Sequence, residues 1–200
     1  MKFTRLAGYG GVAGPVLFTA AWVVSSLRQA GHRAAGVQLS GLAAGDARDP
    51  QLMMTAFVVL GGCSIGLGAA LSRVAAPRSA GPWLVMAAGA ATAAAGVFRR
   101  DHMLLMGPGF TGESWHNQVH DVVSAVAYGA MLAAPLVLGR RFRADPNWAV
   151  LARPIQVLAW PARWPWPCSP PGRWNRGTAL CSGSRSRLLW PPRFSWPPGC

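Results

Sequence analysis

The chain has 200 residues, 52% hydrophobic and only 12% charged, with 19 Lys and Arg against 6 Asp and Glu. A formal charge of +13 ordinarily suits nucleic acid or an anionic surface, but this charge is dispersed through loops and tail, and no nucleic-acid partner is expected. Its four cysteines are too scattered for a disulfide framework.

Four runs carry no charge: 6–27, 52–72, 81–98 and 122–139. A helix of about 20 apolar residues crosses the roughly 30 Å hydrocarbon core of a bilayer. It also satisfies its own backbone hydrogen bonds, which lipid cannot do. None of the runs has the polar face of a soluble amphipathic helix. The expected fold class is therefore all-α, a polytopic transmembrane helical bundle over residues 1–153 with spans at about 6–27, 52–72, 81–98 and 119–139.

Lys2 and Arg5 precede the first span, whose apolar run is too long for a secretory signal core, so it reads as an uncleaved helix. Pro15 in this span and Pro135 in the fourth are expected to bend their helices. The loop to the second span holds Arg28, Arg33, Arg48, Asp46 and Asp49, with His32 expected in solvent. In the second span Gly62 and Gly66 form a small-xxx-small pair, and in the third Gly89, Ala93 and Gly96 recur on neighbouring turns. The two helices should therefore approach closely. Trp22, Trp83 and Trp115 fall at span ends, where amphipathic rings prefer the headgroup level.

Loops on the side of the N-terminus hold Lys2, Arg5, Arg73, Arg78, Arg140, Arg141 and Arg143, seven basic residues against five on the other side. That bias points to a cytoplasmic N-terminus. Arginine outnumbers lysine eighteen to one, and with the abundant Ala and Gly this is the composition of a GC-rich bacterial gene. The expected location is a bacterial cytoplasmic (inner) membrane.

From Pro154 the character changes. Trp-Pro occurs at 160/161, 164/165, 166/167, 190/191 and 196/197, mixed with Arg, Ser and Cys, and no apolar period survives. The segment 154–200 reads as a disordered Trp/Pro/Arg-rich tail, unable to form another span. The dipeptide has a genetic explanation. Trp is TGG and Pro is CCN, so reading one base earlier gives NTG-GCC, which encodes Leu, Val or Met followed by Ala. Five such pairs have the composition of a transmembrane helix, and the tail is expected to be out of frame. A Trp/Arg-rich membrane-surface tail is the rival, but it should show an amphipathic helix.

The one constellation with chemical potential lies between spans three and four: Asp101-His102, then His116-Asn117-Gln118-Val119-His120-Asp121. On a helix His116 and His120 share one face, the spacing that two nitrogen ligands of a divalent metal need. Asp101 would add a carboxylate as third ligand and leave a position for water, as in catalytic zinc sites. Asp121 would orient an imidazole from behind. The same residues also suit plain headgroup-level hydrogen bonding, with Asp121 favoured by the helix dipole.

These pieces resemble a family. Gly14-Pro15, Phe18 and Trp22, then Gly96-Val97-Phe98-Arg99-Arg100-Asp101, then His116, Val119, His120 and Asp121 are similar to the uncharacterised bacterial multispan membrane proteins grouped as domain of unknown function 998. Val37-Gln38-Leu39-Ser40-Gly41-Leu42 looks like that family's short loop segment, with Gly41 where an acid is expected. The resemblance covers about residues 8–153 and implies six helices, of which four spans are present here. It implies no activity.

Two functions follow as expectations. The first is a non-catalytic bundle that binds a lipid or small molecule, or serves as a subunit of a homo- or hetero-oligomer, with the lipid bilayer as its partner and no cofactor. The alternative is a metal-assisted membrane hydrolase or lipid-modifying enzyme holding zinc on Asp101, His116 and His120. Sequencing the gene around codon 155 tests the tail: a single-base shift restoring Leu-Ala sequence is expected. An uninterrupted frame with matching tails in relatives would overturn it.

Overall fold

The structure, a computed structural model, describes residues 2–30, 32, 38–76, 78–103 and 114–158. Its elements are α1 (Lys2–Arg28), a 3₁₀ turn (Leu39–Ala43), α2 (Pro50–Val74), α3 (Ala80–Val97), α4 (Trp115–Arg143) and α5 (Ala149–Leu158). The four long helices are each long and apolar enough to cross a membrane, and among the described residues there is no strand. This is the all-helical, multispan architecture expected from the sequence.

The helix ends follow local chemistry. Ser79 caps α3 by accepting the Gly81 N–H at 3.2 Å, and Ser114 caps α4 by accepting that of Asn117 at 3.3 Å. Pro50 opens α2, where its missing N–H costs nothing. Inside the spans Thr19, Ser64 and Thr92 return their hydroxyls to carbonyls four residues back, at 2.8, 2.9 and 2.7 Å. No polar hydrogen of theirs is left to lipid. Helices α1 and α4 run through Pro15 and Pro135 without interruption.

Consecutive helices pack antiparallel: α1 on α2, α2 on α3, α3 on α4 and α4 on α5. The tightest approach is between α2 and α3. A Cβ on Gly96 would lie 2.7 Å from the Met54 carbonyl oxygen, one on Gly89 2.6 Å from that of Gly61, and one on Gly68 2.8 Å from that of Pro82. Met54, Gly61 and Gly68 step by seven along α2 while Gly96, Gly89 and Pro82 step by seven the other way. That spacing is the left-handed coiled-coil mode, in which every second turn returns to the partner.

Gly89, Ala93 and Gly96 thus face α2 as expected, but the expected Gly62 and Gly66 do not face α3. A Cβ on either would meet nothing within 4 Å. One residue along a helix rotates the side chain by about 100°, so Gly61 takes the interface and Gly62 turns away from it. Along α1, Gly10 and Gly14 lie against Cys63.

One end of the bundle gathers Arg73, Arg78, Arg140, Arg141 and Arg143. Beneath them Ala75, Ala76, Leu138, Phe142 and Ala152 form a buried cluster, with Trp148 stacked on Phe142 at 5.6 Å. This packing holds α5, whose Gln156 accepts from Arg143 and lies against Gly139. The expected tail therefore contributes its first residues, 154–158, to a helix passing through Pro154. The remainder, 159–200, lies outside the described residues.

The α2–α3 interface gives a direct test. Gly61→Val and Gly89→Val should each cost about 1–3 kcal/mol by overpacking, measured by SDS-titrated unfolding of the solubilised protein. Gly62→Ala should stay within about 0.5 kcal/mol of the parent.

Candidate functional site

At the opposite end, α3 stops at Val97 and its last carbonyls lose their helical partners. Phe98 N–H takes the Ala94 oxygen at 2.8 Å. The next donor comes from another helix: His120 Nδ1 lies 3.1 Å from Ala95 O and 2.7 Å from Phe98 O. Both oxygens can only accept, so Nδ1 carries the hydrogen. His120 is 1% exposed, and its Nε2 is buried with no hydrogen-bond partner among the described residues.

Around this contact runs a continuous polar chain. Asp101 accepts the Ser114 N–H at Oδ2 and the Ser114 hydroxyl at Oδ1, both at 2.7 Å. The Asp101 N–H donates to Asn117 Oδ1, and Asn117 Nδ2 donates to Asp121 Oδ2, each at 3.3 Å. Asp121 Oδ1 then meets Arg100 Nη2 at 3.4 Å, and Arg100 Nη1 donates to Gln38 Oε1. Arg100 also fixes the loop between α1 and α2 through its backbone, its carbonyl accepting the Gly45 N–H at 3.2 Å. The guanidinium side chain is 6% exposed while its partner Asp121 is 45% exposed. A buried cation is tolerable only when so paired.

The two Ser114 hydrogen bonds, with the nearby His102 and His116, hold the Asp101 carboxyl below the ordinary carboxylate range; partial burial opposes them. His102 itself pairs with Asp46 at 3.6 Å.

These elements surround a cavity of about 720 Å³. Gln38, Arg100, His120 and Asp121 supply its polar part; Phe18 of α1, Phe57 and Leu60 of α2 and Met131 of α4 supply apolar walls. Because α1 and α4 stand at opposite ends of the row of four long helices, with no extensive contact between them, the cavity is a groove between these two helices, floored by α2 and α3.

The sequence-derived metal set is not drawn together. Asp101 is engaged by Ser114 and His120 by α3, while the exposed His116 lies against Trp115 with ring centroids 3.7 Å apart. Among the described residues no three of His, Cys, Asp or Glu are grouped as a metal site. Asp121, expected behind an imidazole, instead faces Arg100 and Asn117. His32, expected in solvent, is half-buried.

Arg100, Gln38 and Asn117 had no role assigned to them from sequence. A signal existed in span four: Ser124 and Tyr128 follow His120 at four and eight residues, a polar stripe within an apolar run. Both line the groove.

Fold and site together define a multispan integral membrane protein with a polar-headed groove. The chain belongs to the family described as "Protein of unknown function (DUF998)", whose model matches residues 12–181. No curated protein and no solved structure matches the chain.

Asp101 makes the site pH-dependent with a fixed sign. Its folded-state carboxyl binds protons less readily than in the unfolded chain. Its contribution is therefore complete above the ordinary value of about 4 and lost as pH falls through the lower folded value. Melting temperatures of the wild type should fall on acidification below about pH 4 more steeply than those of Asp101→Asn. Parallel curves would contradict the assignment.

Proposed function

We propose that the protein binds an amphiphile, a lipid or lipid-like small molecule, in the groove between α1 and α4, and does so without chemical conversion. The observation that carries this reading is the composition of the cavity of about 720 Å³: a polar end at Arg100, Gln38, His120 and Asp121 continues into walls of Phe18, Phe57, Leu60 and Met131. Ligand sites of this volume are mostly apolar with a few placed polar groups. An amphiphile matches both halves, its head at the level of the α3 terminus and its chain along the span. Access would be lateral, from the bilayer, because α1 and α4 leave that side of the row open.

The membrane is proposed to be the bacterial cytoplasmic membrane, with the N-terminus in the cytoplasm. Support comes from charge. The end bearing Arg73, Arg78, Arg140, Arg141 and Arg143 is basic, whereas at the other end Arg28 pairs with Asp49 at 3.2 Å and Arg100 with Asp121. A cysteine introduced at Arg78 should be labelled by impermeant thiol reagents only after the cells are opened, and one at Asp46 in intact cells. The reverse pattern would invert the topology.

Binding is tested by native mass spectrometry of the protein released from detergent with added single-chain lipids. Ala127→Trp, which places a large ring in the groove, should lower lipid occupancy at least about tenfold, the effect of 1.4 kcal/mol, without lowering the melting temperature. Equal occupancy in both proteins would remove the groove as the site and favour a role as an assembly subunit.

A further inference from the structure

Resting on the groove as an amphiphile site, the geometry points to a hydroxyl head, a lipid alcohol whose O–H donates to His120 Nε2. Nδ1 is committed to Ala95 O and Phe98 O, so in the neutral imidazole Nε2 holds a bare lone pair and can only accept. The two ring nitrogens point in widely divergent directions. With Nδ1 turned to α3, Nε2 lies on the other edge of a ring that lines the cavity.

That nitrogen is buried and without a partner among the described residues. An unsatisfied buried acceptor is destabilising, and a ligand donor would relieve it. Water-excluding walls raise the value of that one bond.

The charges select the kind of head. Arg100 is already met by Asp121 at 3.4 Å and by Gln38, so the polar end contains one cation and one carboxylate rather than a free positive site. A phosphate or carboxylate head would sit against the Asp121 carboxylate, which is half exposed toward the groove. A neutral hydroxyl meets no such repulsion and supplies the donor that Nε2 lacks. The volume fits one long chain rather than two, since a cavity of about 720 Å³ lies within the range for single small ligands.

The experiment uses three probes with the same chain, oleyl alcohol, its methyl ether and oleyl phosphate, on the full-length protein in detergent at mildly alkaline pH. Wild type should bind the alcohol about tenfold tighter than the ether, the effect of a 1.4 kcal/mol hydrogen bond. The phosphate should bind no tighter than the alcohol.

His120→Asn keeps an N–H able to reach the α3 carbonyls but deletes the Nε2 acceptor. It should bind alcohol and ether equally while melting near the wild type. If it fails to fold, the wild-type comparison of alcohol with ether still decides. Equal binding of alcohol and ether by the wild type, or discrimination that survives in folded His120→Asn, would overturn the hydroxyl assignment and leave the groove standing. Phosphate binding that exceeds the alcohol and disappears in Arg100→Gln would also overturn it, in favour of an anionic head. Failure of all three probes to bind would instead overturn the groove reading itself.

Discussion

Helix α3 ends with carbonyls that no N–H of its own helix meets, and a neighbouring side chain meets them. His120 does so, with one N–H shared between Ala95 O and Phe98 O. Much of the site follows from that bond. It brings α4 against the end of α3 and turns the helix face that carries Asn117 and Asp121 toward Arg100. It also fixes which nitrogen of the ring has a hydrogen. From there the chain of hydrogen bonds runs through Asp121 and Arg100 to Gln38, tying the 3₁₀ segment over the top of the groove. A membrane protein cannot leave such groups unpaired, so a structural requirement and a buried, unpartnered lone pair arise from one residue.

The groove itself comes from how small residues set the spacing. Gly61, Gly89 and Gly96 let α2 and α3 touch backbone to backbone, where van der Waals contact replaces the hydrophobic drive that lipid lacks. Gly10 and Gly14 bring α1 against α2 in the same way, and Gly81 lies against Leu138 of α4. Each contact joins neighbours in sequence. The helices consequently form a row, and the faces of α1 and α4 that turn toward one another enclose space rather than each other. Large aromatic and aliphatic side chains, Phe18 with Phe57 edge-on at 5.0 Å, wall that space.

How much of this was legible in the sequence depends on distance along the chain. The four spans were readable because bilayer thickness acts on composition within each segment, and their boundaries fall within a few residues of the helices observed. That α3 faces α2 through Gly89, Ala93 and Gly96 was readable too. The partner face on α2 was not: adjacent glycines at 61 and 62 are equivalent in composition and differ only in the phase of a helix against its neighbour. The polar cluster was located correctly in the chain, but its meaning depended on where ring nitrogens point. Spacing put His116 and His120 on one face. Only the tertiary contact turns the second inward onto α3 while the first stays against Trp115. Arg100 stood in a basic pair, Arg99-Arg100, and was counted as loop charge; its burial comes from Asp121 and from Gln38, 62 residues away.

The central claim is that the Nδ1–H of His120 caps α3 and leaves Nε2 bare. Solid-state nitrogen-15 NMR of histidine-labelled protein in lipid, with the His120 signals assigned by their loss in His120→Asn, reads the hydrogen on each nitrogen directly. For the neutral ring the account predicts a hydrogen-bonded Nδ1–H and an unprotonated Nε2. A bare Nδ1 with the hydrogen on Nε2 would contradict it.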